Sequence, residues 1–201
     1  MEGPSFKEQQ FKVRENLIVD AANQLLADKG FDLMTMDDVA AAVGVSKGIL
    51  YKHFPSKESL AAAAMVRVLR GALGAIEALP PELSAVEKLK AALRWTLESR
   101  LAGGLPLLPS GSASLQTSLM TSMEYVGAIF RMNGVVTGLV EQAVRAGDLR
   151  GDIPAEVMVH SIYSRTCDPA LDFLRRGGRY AEADWVAHLV SIAFDGLTAR
   201  R

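Results

Sequence analysis

Cysteine is almost missing from this chain. The single one, Cys167, excludes an intrachain disulfide and any metal site built from several thiolates. Histidine is nearly as scarce: His53, His160 and His188 are scattered, with no His/Glu pair at metal-binding spacing. There is no glycine-rich phosphate loop and no nucleophile elbow between a strand and a helix. Lacking any convergent set of reactive groups, the chain is not read as an enzyme, and neither cofactor nor metal is expected. Cys167 next to Asp168 and Pro169 has a redox-sensing reading, but a lone cysteine on a helix is more often packing.

An excess of charge is missing too. The chain holds 22 Lys/Arg against 23 Asp/Glu, a formal net charge of −1, so as a whole it is no basic nucleic-acid binder. Residues 101–123 carry no charge at all, yet three glycines, two prolines and many Ser/Thr leave them too polar and broken to span a bilayer. The first residues show no basic start followed by an apolar run, so no secretory signal is expected, and the reading is a soluble cytoplasmic protein. Convincing strand alternation is absent throughout.

What is present is helical. At 201 residues, 49% hydrophobic and 22% charged, the chain has room for one large or two small folded domains. Leu17, Ile18, Ala21, Ala22, Leu25 and Leu26 recur at helical spacing over residues 11–29, and Gly30 supplies a stop, after a loose terminus at 1–8. Ser56 caps a helix running to about Leu79, and Ser84 with Glu87 opens another to about Ala102. Residues 103–114 are irregular, and a short helix is expected around Ser114–Leu119. Thr121 with Glu124 then opens a long helix to Ala146, in which Gly127, Gly134 and Gly138 permit close packing or leave room for a ligand. Pro154 begins a helix to about Arg176, kinked near Pro169, and a last helix spans about Ala183–Ala199.

The most informative stretch is residues 35–58. Thr35, with Asp38 three residues on, has the form of a helix start whose side chains satisfy each other's backbone N–H. Gly44 ends that helix, Ser46 caps the next, and Pro55 stops it: two short helices around a glycine turn, a helix-turn-helix. From Val39 to Lys57 the chain has Lys47, Lys52, Lys57 and His53 but no acid, a local patch suited to a phosphate backbone. The small residues Ser46 and Gly48 would let the second helix lie deep in a major groove.

Gly30, Thr35, Asp38-Val39-Ala40, Gly44-Val45-Ser46, Gly48, Leu50-Tyr51, His53-Phe54, Lys57-Glu58 and Leu60 together resemble the DNA-binding region of TetR-type transcriptional regulators. The resemblance covers roughly residues 10–65; beyond it only the layout of helices is similar. It implies an all-α fold of about nine helices, with a DNA-binding domain over 1–57 and an effector-binding and dimerisation domain over 58–201. It also implies a ligand-responsive regulator, most readily a repressor, that binds a palindromic operator as a homodimer.

By resemblance, Thr35 places its hydroxyl and N–H groups on a phosphate. Ser46, Lys47 and Gly48 meet base edges or nearby phosphates, and Tyr51, Lys52, His53 and Lys57 grip the backbone. Candidate residues for a small-molecule pocket are Trp95, Met120, Met123, Tyr125, Phe130 and Tyr163, with Arg131 as polar anchor, although methionines and aromatics serve core packing equally well. The weakly charged C-terminal half favours an apolar or amphipathic effector. For the dimer surface, Trp185, Leu189, Ile192, Ala193, Gly196 and Leu197 recur at offsets of three and four, and the preceding helix offers Ile162, Ala170, Leu171 and Leu174. The competing readings are a helical protein-interaction module without sequence-specific DNA binding, and an activator.

Overall fold

Three helix starts in this protein are set by a reciprocal exchange between a hydroxyl and an acid. In the computed structural model, which describes residues 5–105, 112–166, 171, 173, 177, 178 and 181–196, Ser5, Thr35 and Ser84 each accept a hydrogen bond from the N–H of Glu8, Asp38 and Glu87. The acids accept the cap residues' own N–H in return, at 2.7, 3.0 and 2.9 Å. Those hydrogen bonds hold all three carboxyls below their ordinary proton affinity.

Nine helices and no strand occur among the described residues: α1 Phe6–Leu33, α2 Met36–Val43, α3 Lys47–His53, α4 Lys57–Glu77, α5 Ala85–Leu101, α6 Ala113–Thr121, α7 Met123–Ala146, α8 Ala155–Thr166 and α9 Glu182–Asp195. The all-α reading holds. The chain divides into two compact units. One is Met1–Val68 with Gly103–Gly127, the other Leu69–Ala102 with Ala128–Arg201, so the division passes through α4 and α7.

In the first unit α1 packs on α2 and α2 on α3. Ile18, Val19, Ala22, Leu26, Phe31, Met34, Val39, Leu50 and Phe54 are buried, and full burial of each large apolar side chain stabilises by about 1.5–3 kcal/mol. Val43 of α2 is only half-buried. Leu115 and Leu119 of α6 are also buried, and Ser114 donates to the Glu58 carboxylate at 3.3 Å. In the second unit α5 offers Leu89, Leu93, Leu97 and Leu101 at strict four-residue spacing. Leu89 joins Leu73, Ile76, Met132, Val136, Val140 and Val159; the other three meet Leu171 and, from α9, Val186 and Val190.

Several boundaries differ from expectation. The N-terminus is not loose from residue 5 onward, because the Ser5–Glu8 exchange starts α1 at Phe6. Gly30 does break the helical path, at φ +76°, before a last turn to Leu33. Ser122, not Thr121, caps α7 by accepting the Tyr125 N–H, while Thr121 donates to the Thr117 carbonyl within α6. Pro154 sits just before α8, and its carbonyl accepts from Val157 and Met158. The expected kink at Cys167–Pro169 lies outside the described residues. The last helix stops at Asp195, because Gly196 turns at φ +76°.

By length and composition α4 is a helix that could cross a membrane, with 44% of that window buried. Its apolar residues Leu60, Ala61, Ala64, Met65, Leu73 and Ile76 are buried within the protein.

Glycine plays opposite parts in the two units. Gly44 adopts φ +73° at the end of α2, and a Cβ there is strained. Gly134 has no positive φ, and a Cβ would meet nothing within 4 Å, so close packing inside this chain does not explain it. Gly44→Ala is expected to lower stability by about 1 kcal/mol, and Gly134→Ala to raise it by about 0.5–1 kcal/mol, in thermal unfolding of the single variants.

Candidate nucleic-acid interface

α3 has seven residues, too few to persist alone, and its caps and one buried side chain hold it. Gly44 closes α2, and the next residue's N–H returns to the Ala40 carbonyl at 3.0 Å, which turns the chain sharply. Ser46 then accepts the Ile49 N–H at 3.4 Å, and Leu50 is fully buried beneath the helix.

Helical phase divides α3 into two sides. Lys47, Gly48, Tyr51 and Lys52 share one, all exposed along with Ser46, and Tyr51 is 47% exposed. Ile49, Leu50 and His53 share the other. The exposed side thus carries five of the eight residues expected at DNA, and the first turn of α3 contains no acid. Each exposed residue type is one that contacts phosphate or base edges.

The other three expected residues are engaged differently. Thr35 is exposed, but its N–H and that of Asp38 are both consumed by the reciprocal cap, so only the hydroxyl proton remains to be donated. Lys57 is turned inward: its ammonium donates to the Phe31 carbonyl at 2.9 Å and lies 4.2 Å from the centre of that ring. It pins the start of α4 to the end of α1. His53 is not a surface cation. Its side chain is only 2% exposed, and the ring stacks on Phe11 with centroids 3.9 Å apart. Its Nδ1 makes no hydrogen bond and lies 3.9 Å from Glu15. Burial lowers the proton affinity of the imidazole, the Glu15 carboxylate raises it less, and the Arg14 charge lowers it further. The net direction is down, so the ring is neutral at pH 7.

Two surface ion pairs flank this face. Lys47 meets Asp37 at 2.6 Å and Lys29 meets Asp38 at 3.2 Å, all substantially exposed. Such pairs contribute about 0–1 kcal/mol and exchange readily for other partners. Lys52 has no ion-pair partner among the described residues. Arg67 of α4 donates to the backbone and side-chain oxygens of Asn16 and to Asp20, clamping α4 onto α1. Phe6, Gln9, Gln10, Val13, Arg14 and Leu17 of α1 line an open groove of about 450 Å³ with Val43 and Val45. Sequence reasoning missed this contribution of α1, although the Ser5–Glu8 spacing signalled a helix there.

The residues named for a ligand pocket are divided between the two units. Met120, Met123 and Phe130 are 66%, 85% and 72% exposed, and Arg131 is exposed, so none of these lines an enclosed cavity. Tyr125 is buried in the first unit. In the second, the half-buried Trp95 ring covers Gly71, and Tyr163 packs against the Leu89–Val140 core. Composition marked these side chains as apolar without saying which face they occupy.

The residues named for a dimer surface divide similarly. Leu171 is buried in its own unit's core, which removes it from a partner's reach. Ile162, Leu189 and Ala193 are half-buried and pack partly on their own unit's core, while Trp185 and Ile192 are also half-buried. Gly196 lies beyond the end of α9; Ala170, Leu174 and Leu197 lie outside the described residues.

A capped, glycine-turned helix pair that displays hydroxyl, lysine and phenol groups on one side defines a helix-turn-helix DNA-binding protein. Residues 18–64 match the family of bacterial regulatory proteins called the tetR family. The chain is 31% identical over 186 residues to YdeS of Bacillus subtilis (strain 168), an HTH-type transcriptional regulator, covering 90% of this chain and 88% of that one. It is 27% identical over 195 residues to the HTH-type transcriptional repressor KstR2 of Rhodococcus jostii (strain RHA1), covering 92% of each. Among solved structures, FadR of Bacillus subtilis in complex with stearoyl-CoA has the same fold, with a TM-score of 0.68 and 16% identity over 91% of this chain and 99% of that one. AibR in complex with isovaleryl coenzyme A and operator DNA gives 0.63 and 20%, over 90% and 98%. The chain belongs to the TetR family and is a DNA-binding transcriptional regulator.

The buried imidazole generates a pH prediction. His53 in the folded protein binds its proton below the ordinary value of 6.5, so on acidification the unfolded chain takes the proton first. The stability that comes from burying the neutral ring is complete above pH 6.5 and falls as pH drops from there toward the lowered value. Melting temperatures followed from neutral to mildly acidic pH should fall across this window, and fall less in His53→Phe, which keeps a ring against Phe11 without a titrating nitrogen.

Proposed function

We propose that this regulator is a homodimeric repressor whose grip on a palindromic operator is released by a small amphipathic effector of the acyl coenzyme A class. The observation that carries the DNA reading is the two-sided α3: Leu50 and His53 are buried, while Ser46, Lys47, Gly48, Tyr51 and Lys52 face outward. In this reading residues 1–57 form the DNA-binding domain and 58–201 the effector-binding and dimerisation domain. Ser46, Lys47 and Gly48 meet base edges, and Tyr51, Lys52 and the Thr35 hydroxyl hold the backbone. Lys57 acts from within, by fixing α4 to α1.

Repression is supported by the name of the relative KstR2, and the effector class by stearoyl-CoA in the FadR structure and isovaleryl coenzyme A in the AibR structure. Pairing uses Ile162 of α8 and Trp185, Leu189, Ile192 and Ala193 of α9, together with Ala170, Leu174, Gly196 and Leu197 from the sequence pattern. It would set two heads about 34–36 Å apart, one turn of DNA. A coupling of about 1–3 kcal/mol between effector and DNA sites suffices to change occupancy about five- to 150-fold. The protein works in the cytoplasm, where the DNA is, and performs no catalysis.

The test is a fluorescence-anisotropy titration against the intergenic DNA upstream of its own gene at several salt concentrations. Tyr51→Ala should weaken binding to all sequences, and Lys52→Gln should flatten the slope of log K against log salt by about 0.9 per protomer. Variants that bind as the parent does would overturn the assignment of this face. In the same assay a long-chain acyl coenzyme A should release the parent from DNA, and the free fatty acid should do so less well. Equal indifference to both would remove the effector class and leave the DNA reading intact.

A further inference from the structure

The cations of the first unit are not equally available. Lys29, Lys47, Lys57 and Arg67 each have a carboxylate or carbonyl partner within the protein. Lys7 and Arg14, in the opening turns of α1, are exposed and have no ion-pair partner among the described residues. They lie four residues before and three after Phe11, so all three share one helical face. Phe11 on that face stacks on His53, the last residue of α3, at 3.9 Å. Arg14 is close enough for its charge to act on that imidazole. Lys52, exposed and likewise without an ion-pair partner among the described residues, adjoins His53 in the chain. Lys7 and Arg14 therefore share the face of the Phe11–His53 contact, and Lys52 stands one residue from it on the outward side of α3. Of the nearby acids, Glu8 is taken up in the Ser5 cap, and Glu15 lies 3.9 Å from the His53 ring nitrogen.

We propose that the opening turns of α1 form a second grip on the DNA backbone, with Lys7 and Arg14 as phosphate contacts and Phe11 as the residue that positions them against α3. These turns precede residues 18–64, the part that matches the family. The inference rests on the reading of α3 as the DNA-facing helix. When the start of such a helix enters the major groove, its far end reaches the rim where phosphates run. The second side of this α1 segment, through Phe6, Val13 and Leu17, lines the groove shared with Val43 and Val45. Contacts on two sides order the segment before DNA arrives, so little entropy is lost on binding. Solvated surface cations with no role would leave DNA binding unchanged when neutralised.

Phosphate contacts act on any sequence, so a short random-sequence duplex is a sufficient probe. The slope of log K against log salt should flatten by about 1.8 per bound protomer in the Lys7→Gln/Arg14→Gln double variant, from about 0.9 for each phosphate no longer neutralised. Arg145→Gln, in the other unit, should leave it unchanged. Phe11→Ala should flatten the slope without removing a charge, and Phe11→Tyr should restore it, a readout that a stability loss followed by circular dichroism would not reproduce. A double variant with the parent's slope would overturn the proposal, and Lys52→Gln would still report the α3 face. A parent without salt-dependent binding would overturn the DNA reading of α3 and this inference together.

Discussion

A helix of seven residues has almost no stability of its own, because the cost of nucleating a turn is spread over so few hydrogen bonds. Everything the head presents to DNA therefore depends on the burial of Leu50 beneath α3. Ser46 and Gly44 determine where that helix starts and how it leaves α2, but the burial of Leu50, in a unit where Val39 and Phe54 are buried too, keeps it in place. The outward face can then be chosen for chemistry alone. Glycine at 48 is a poor helix former, and it is tolerated because the opposite side supplies the stability.

The disposition of charge follows a related logic. A nearly neutral chain cannot hold DNA by its overall field, so what counts is which cations are already occupied. Lys57 and Arg67 are used to bind α4 onto α1, through a carbonyl, an aromatic face and two polar side chains. Both lie on the helix that continues into the second unit, and both attach to the helix that covers the recognition pair. The lysine at 57 looked like a DNA contact on type and position. Its real partner is the Phe31 backbone oxygen, in the last turn of α1.

Much of the fold was legible because its punctuation is local. Hydroxyl–acid spacing located the starts of α2 and α5, and glycines located the end of α2 and the break near the end of α1. Where two hydroxyls stand together, as at Thr121 and Ser122, the spacing rule cannot choose, and the geometry of the previous helix decides. His53 was misplaced for a different reason. Its charge type matched a phosphate contact, but counting three and four residues from Leu50 and Ile49 would have put it on the buried side. Its partner Phe11 lies far away in the chain, and no local pattern announces such a contact. Met120, Met123 and Phe130 are exposed, which composition could not show because hydrophobicity without phase says nothing about direction.

Lys47 and Asp37 carry a consequence for how discrimination is divided. The lysine nearest the start of the proposed reading helix arrives with its own counterion, held across the turn at 2.6 Å. Meeting a duplex then amounts to exchanging one anionic partner for another acceptor, with little net gain from charge. An exchange of that kind is easily reversed on any sequence. What separates a right site from a wrong one must come mostly from neutral groups that cannot be traded so freely. These are the Ser46 hydroxyl and the close approach that the bare backbone of Gly48 allows.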